Sequence, residues 1–104
     1  MAIKPYQEAV DEWAQQYKVP YWQPLEIMAR LTEEVGELAR ELNHRFGPKK
    51  KKATEDVGEI GDEIADILFT VFCLANSQGI DLDESFGKVL EKIRVRDGNR
   101  FEKK

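Results

Sequence analysis

Residues 25–44, LEIMARLTEEVGELARELNH, place apolar side chains at Met28, Leu31, Val35, Leu38 and Leu42, at spacings of three, four, three and four. That repeat follows the 3.6-residue period and gathers the five on one stripe of an amphipathic helix. Pro24 suits its first turn, where a missing N–H costs nothing, and Gly47-Pro48 stops it, which predicts a helix over 24–44. Downstream, Ile67–Ala75 is apolar nearly all round, so a helix over 56–77, ended at Gly79, is expected to be the buried centre. Lys49–Lys52 and the residues to Asp56 read as a polar loop. Asp81 is an N-cap, with Glu84 three residues on to complete a capping box. It opens a helix over 82–96 whose inner face is Phe86, Val89, Leu90 and Ile93, followed by a basic tail. Upstream, Tyr6, Val10, Trp13 and Tyr17 give a helix over 3–17, and Pro20 and Pro24 bound a connector. With no strand pattern or internal repeat, residues 1–104 are expected to form a single all-α domain, a four-helix bundle.

Composition narrows the function classes. The 104 residues hold 41% hydrophobic side chains, enough for one modest core, and a chain of this size gains by burying an apolar face against a second copy. Sixteen basic against twenty acidic residues give a net charge of −4, which argues against a nucleic-acid-binding coat. One cysteine excludes an intrachain disulfide framework and fits a reducing cytoplasm. No apolar run reaches membrane-spanning length and no leader is evident. The charge is also uneven. Residues 55–66 carry six carboxylates and no base, whereas residues 88–104 carry seven Lys or Arg against three acids.

The acidic segments are Glu33-Glu34-Val-Gly-Glu37 and Glu63-Ile-Ala-Asp66. Residues three apart share a helix face, so each segment points two carboxylates at a common region, an arrangement that is repulsive on an isolated helix. At about 100° per residue, Glu34 and Glu37 lie on one shoulder of the first apolar stripe, and Glu63 and Asp66 on the same shoulder of the second. Packing the two seams together gathers an oxygen-rich cluster at the edge of the core. Hard oxygen ligands with no His or Cys nearby suit Mg²⁺ or Mn²⁺ rather than zinc. The competing reading of either segment alone is a solvated acidic face.

EEVGE at 33–37, followed after 25 residues by EIAD at 63–66, resembles the paired motif of MazG-like nucleotide pyrophosphohydrolases, a branch of the all-α NTP pyrophosphatase superfamily. The resemblance runs from about Pro24 through Asn76 and is that of the short, single-domain type. It implies Mg²⁺-dependent cleavage of a nucleoside triphosphate to the monophosphate and pyrophosphate, as house-cleaning of the nucleotide pool. By the same resemblance Glu34, Glu37, Glu63 and Asp66 are metal ligands, and Glu33 holds or activates the attacking water. It further implies a homodimer or homotetramer that completes the bundle.

Other contacts rest on spacing. Lys92, Arg96 and Arg100 recur every four residues and share one face if the last helix persists; they bind phosphates or form an ordinary basic helix end. Asn76, close to three turns beyond Asp66, either reaches the same cleft or caps the helix toward water. Trp22, with Tyr21, stacks on a base or packs over the bundle. His44 reads as a surface residue of a helix end and Cys73 as a core residue. Two alternatives stand beside the leading function: phosphoribosyl-ATP pyrophosphohydrolase, and a non-enzymatic helical oligomerisation or adaptor module.

Overall fold

Four helices follow one another in a computed structural model that describes residues 2–48 and 60–104: α1 (Lys4–Ala14), α2 (Pro24–Phe46), α3 (Ile60–Ser77) and α4 (Leu82–Asp97). Among the described residues there is no strand, and no helix is long and apolar enough to cross a membrane. The start of the third helix expected near residue 56 and the Lys49–Lys52 loop lie outside the described residues.

The helix ends have local causes. Tyr17 was expected within the first helix, but α1 stops at Ala14. The N–H groups of Gln16 and Tyr17 reach back only three residues, to Trp13 and Ala14, and this tight turn swings the chain into the proline-bounded connector. At α2 the Gln23 N–H donates to Glu26 Oε1 at 3.1 Å, which satisfies one of the free donors at the helix start. That helix runs two residues past His44, to Phe46, before Gly47 and Pro48 end it. At the end of α3 the Ile80 N–H bonds to the Ala75 carbonyl and the Gly79 N–H to the Asn76 carbonyl. Gly79 supplies the left-handed turn (φ +65°) that this double closure needs. Asp81 Oδ1 caps α4 by accepting from the N–H groups of Asp83 and Glu84. Glu84 does not complete the expected box; its carboxylate pairs forward with Lys88 at 3.4 Å.

α2 and α3 form the main helix pair and run antiparallel, since Ile27 shares a cavity with Cys73 while Glu37 and Glu41 lie close enough to Glu63 to disturb its charge. The seam on α2 is rotated from the apolar stripe. Its most buried residues are Ile27, Glu34 and Glu41, seven apart, whereas Met28, Val35 and Leu42 remain 50%, 49% and 40% exposed. α1 lies across the C-terminal half of α3, where Trp13 meets Phe69 edge to face at 5.7 Å. α3 is therefore central in its contacts but is not the enclosed core expected: Ile64 and Leu68 are 46% and 48% exposed. The reason is that α4, which should have covered it, turns away. α4 buries no residue, and Phe86, Val89 and Ile93 of its supposed inner face are half-exposed.

Polar ties hold the thin α1 layer in place. The N–H groups of Ile3 and Lys4 donate to the two oxygens of Asp83, so the start of α1 is capped from α4. Gln7, itself buried, donates from Nε2 to the Ile80 carbonyl at 2.6 Å and accepts the Leu82 N–H on Oε1 at 3.2 Å. Gln7→Ala removes both bonds and leaves two partly buried backbone groups without partners, which should cost about 1–2 kcal/mol. Denaturant unfolding at a fixed protein concentration checks this, and an unchanged midpoint would contradict the assigned role.

Candidate active site

The antiparallel register decides which carboxylates meet. On α2, Glu34 turns into the seam; on α3, Glu63 and Asp66 lie one turn apart on the facing side. One carboxylate oxygen from each of the three falls within 4.8 Å of the others, with Glu34 buried, Glu63 half-buried and Asp66 exposed. Such a grouping is unfavourable without a cation. The Glu63 carboxyl is accordingly pushed above its usual value, first by burial and then by the charges of Asp66, Glu37, Glu34 and Glu41. The span is close to that of one octahedral shell, roughly 4 Å across for Mg²⁺–oxygen bonds near 2.1 Å. The residues present therefore fit a small divalent cation.

Of the other expected ligands, Glu37 stays outside this group and is exposed on the next turn of α2, although its charge reaches Glu63. Glu33 is on the outer side, with its side chain 68% exposed against 9% for Glu34. Arg30, one turn earlier, bridges the two: Nη1 donates to Glu33 Oε2 at 3.3 Å and Nη2 lies 3.0 Å from Glu34 Oε1.

A cavity of about 750 Å³ opens directly beside the cluster. Glu34 and Asp66 mark its acidic end. Its walls are aromatic, from Trp13 and Tyr17 at the end of α1, Tyr21 and Trp22 in the connector, and Phe69 on α3. Thr70 and Cys73, about one and two turns beyond Asp66 on α3, line it as well. Cys73 is thus a wall of an open cavity rather than a core residue, and partial burial pushes its thiol up. Trp13 and Tyr17 stack edge to face at 5.2 Å. The Tyr21 hydroxyl donates to Asp11 Oδ1 at 2.5 Å, fixing the connector against α1. Burial and then this bond push the Tyr21 phenol up to about 12, while the bond holds Asp11 below its usual value.

The remaining expected contacts lie elsewhere. Trp22 is among the residues that line the cavity, whereas Asn76 is not. Its Nδ2 donates to the Gln7 carbonyl at 3.0 Å, so it is a brace between α3 and α1. Arg100 is not on the last helix, which ends at Asp97. Arg96 and Arg100 both pair with Asp97, and neither they nor Lys92 line the cavity. Sequence reasoning missed Arg30, whose spacing of three and four from Glu33 and Glu34 was a usable signal. It also missed Trp13, Tyr17 and Phe69, which needed the fold.

Residues 23–101 match the MazG nucleotide pyrophosphohydrolase domain. The protein YpjD of Bacillus subtilis strain 168 is 51% identical over 102 residues, covering 98% of this chain and 92% of that protein. The crystal structure of YpjD from Bacillus subtilis superposes with a TM-score of 0.79 at 52% identity, over 88% of this chain and 94% of that one. The crystal structure of the Bacillus-conserved MazG protein, a nucleotide pyrophosphohydrolase, gives a TM-score of 0.77 at 43% identity, over 92% and 93%. An all-helical chain with paired acidic segments brought together at an α2–α3 seam, matched over most of its length, belongs to the MazG nucleotide pyrophosphohydrolase family.

Proposed function

We propose that this chain is a Mg²⁺-dependent nucleoside triphosphate pyrophosphohydrolase, converting a (d)NTP and water to the (d)NMP and pyrophosphate. The observation that carries the reading is the adjacency of the Glu34, Glu63 and Asp66 oxygens to an aromatic-walled cavity large enough for a nucleoside. A triphosphate needs hard, charge-neutralising ligands at one end, and its base needs flat apolar faces at the other. A divalent ion held there would neutralise the polyphosphate and favour loss of a proton from the water that attacks the α-phosphorus, with pyrophosphate leaving. Glu34, Glu63 and Asp66 would hold that ion, and Glu37 would add its charge from the next turn. Glu33, which pairs with Arg30 on the outer side of α2, would have to turn toward the cluster to orient the attacking water and accept its proton. Trp22 stacks on the base, while Asn76 acts at a distance, holding α1 and its aromatic rings against α3 through the bond to Gln7.

The active form is a homodimer or homotetramer in the cytoplasm, where it clears surplus or non-standard nucleotides. The half-exposed Met28–Val35–Leu42 ridge and the Phe86–Val89–Ile93 face are apolar surfaces suited to a second copy. A neighbouring subunit is also the route by which Lys92, Arg96 and Arg100 reach phosphate.

Three outcomes are expected. First, Glu63→Gln and Asp66→Asn lose at least about 100-fold in pyrophosphate release from a panel of nucleoside triphosphates with Mg²⁺, more than supporting residues usually cost. Either variant at full activity would overturn the site, and release from phosphoribosyl-ATP alone would reassign the substrate. Second, the Glu63 carboxyl titrates higher in the folded chain than in the unfolded one. Its contribution to stability is present at acid pH and is lost as pH rises through that raised value. In chelator at neutral pH, Glu63→Gln therefore melts above the parent, the gap closes on acidification through the carboxylate range, and added Mg²⁺ stabilises only the parent. Third, Phe86→Glu with Ile93→Glu shifts the species seen by light scattering to 12.0 kDa.

A further inference from the structure

The cavity beside the carboxylates is lined by a single basic side chain among the described residues, Arg30. Its guanidinium is half-exposed and forks between two acids, with Nη2 3.0 Å from Glu34 Oε1 and Nη1 3.3 Å from Glu33 Oε2. Glu34 is also a member of the three-carboxylate group, and among the described residues it alone of the three is paired with a cation. One carboxylate therefore has two claimants. The guanidinium satisfies it here, and a divalent ion in the cluster requires the same side chain. The arginine end of the pair is half-exposed while Glu34 is buried, so the guanidinium can leave at small cost only when a cation in the cluster replaces it as the counter-charge. A guanidinium released from Glu34 carries a rigid fork that matches phosphate oxygens in pairs. It stands at the junction between the acidic end and the aromatic walls, the stretch a polyphosphate has to cross. The three other cations expected to bind phosphate do not line this cavity.

We infer that Arg30 binds the substrate's phosphates, and that its pairing with Glu34 both offsets part of the cluster's charge and couples metal binding to nucleotide binding. The inference rests on the nucleotide reading above and adds to it a switchable binding residue. Metal uptake at Glu34 frees the guanidinium for the polyphosphate, and by linkage the nucleotide then favours the metal-loaded site.

The test compares the full chain with Arg30→Ala and Arg30→Lys, using Mn²⁺ as the probe. In nucleotide-free protein, Arg30→Ala should bind Mn²⁺ roughly two- to fivefold more tightly by paramagnetic resonance or calorimetry, because the competitor for Glu34 is gone. Its melting midpoint should fall in chelator and recover with saturating Mn²⁺. Its KM for a hydrolysed nucleotide should rise about ten- to a hundredfold, the range of one charge-assisted hydrogen bond, with a smaller rise in Arg30→Lys. A purely structural arginine would instead weaken metal and nucleotide binding together. Unchanged or weaker Mn²⁺ binding in Arg30→Ala, or an unchanged KM, overturns the inference while the enzyme reading stands. A parent chain that hydrolyses none of the nucleotides overturns that reading itself, and the two failures are distinguished by whether the parent is active.

Discussion

Charge burial at the α2–α3 seam governs the rest of the molecule. Glu34 and Glu41 occupy seam positions that an ordinary helix pair would give to leucine, and Glu63 and Asp66 face them from α3. Burying a carboxylate is costly unless it is paired, and Arg30 supplies that pairing for Glu34. The arrangement is consistent with function rather than with maximal stability. A helix pair optimised for packing would have turned Met28, Val35 and Leu42 inward, whereas here they remain half-exposed on the flank. Rotating α2 to bury that ridge would carry Glu34 out of reach of Glu63 and Asp66. The apolar surface left open is thus the direct counterpart of the acidic cluster.

The second layer is held by directional bonds more than by bulk burial. α1 is short and its described contacts with α3 and α4 are few, yet Gln7, Asn76, Asp83 and Asp11 each tie it, or the connector after it, to a fixed partner. Hydrogen bonds with defined partners set position where a small apolar interface would allow sliding. The consequence is a wall of aromatic rings standing beside the carboxylates at a settled distance, with space between. In this way α1, which carries none of the acidic ligands, becomes part of the site.

α4 contrasts with both. It is well capped and laced with surface ion pairs, but it lies away from the helix pair and buries nothing. Its regular spacing of Phe86, Val89 and Ile93 was read as an inner face because periodicity reports that a face is apolar and cannot say which surface covers it. The same limit applies to Lys92 and Arg96, whose shared face was legible, although the helix carrying it does not reach the cavity of its own chain.

Local chemistry alone determined a good deal of this protein. Spacing set four helices, the glycine and proline stops, the Asp81 cap, and the two acidic segments with their shared shoulder, because each depends on neighbours within about one helical turn. It also held the Arg30–Glu34 spacing, unused until the fold showed its place beside a cavity. Tertiary structure decided the rest. The register of α2 on α3 selected Glu34 over Glu37 for the cluster, the turn after Gly79 sent α4 away, and the tie from Asn76 to Gln7 took that amide out of the cleft. Those outcomes depend on the relative rotation and direction of whole helices, which the balance of buried charge, capping and side-chain ties fixes only once the chain has folded.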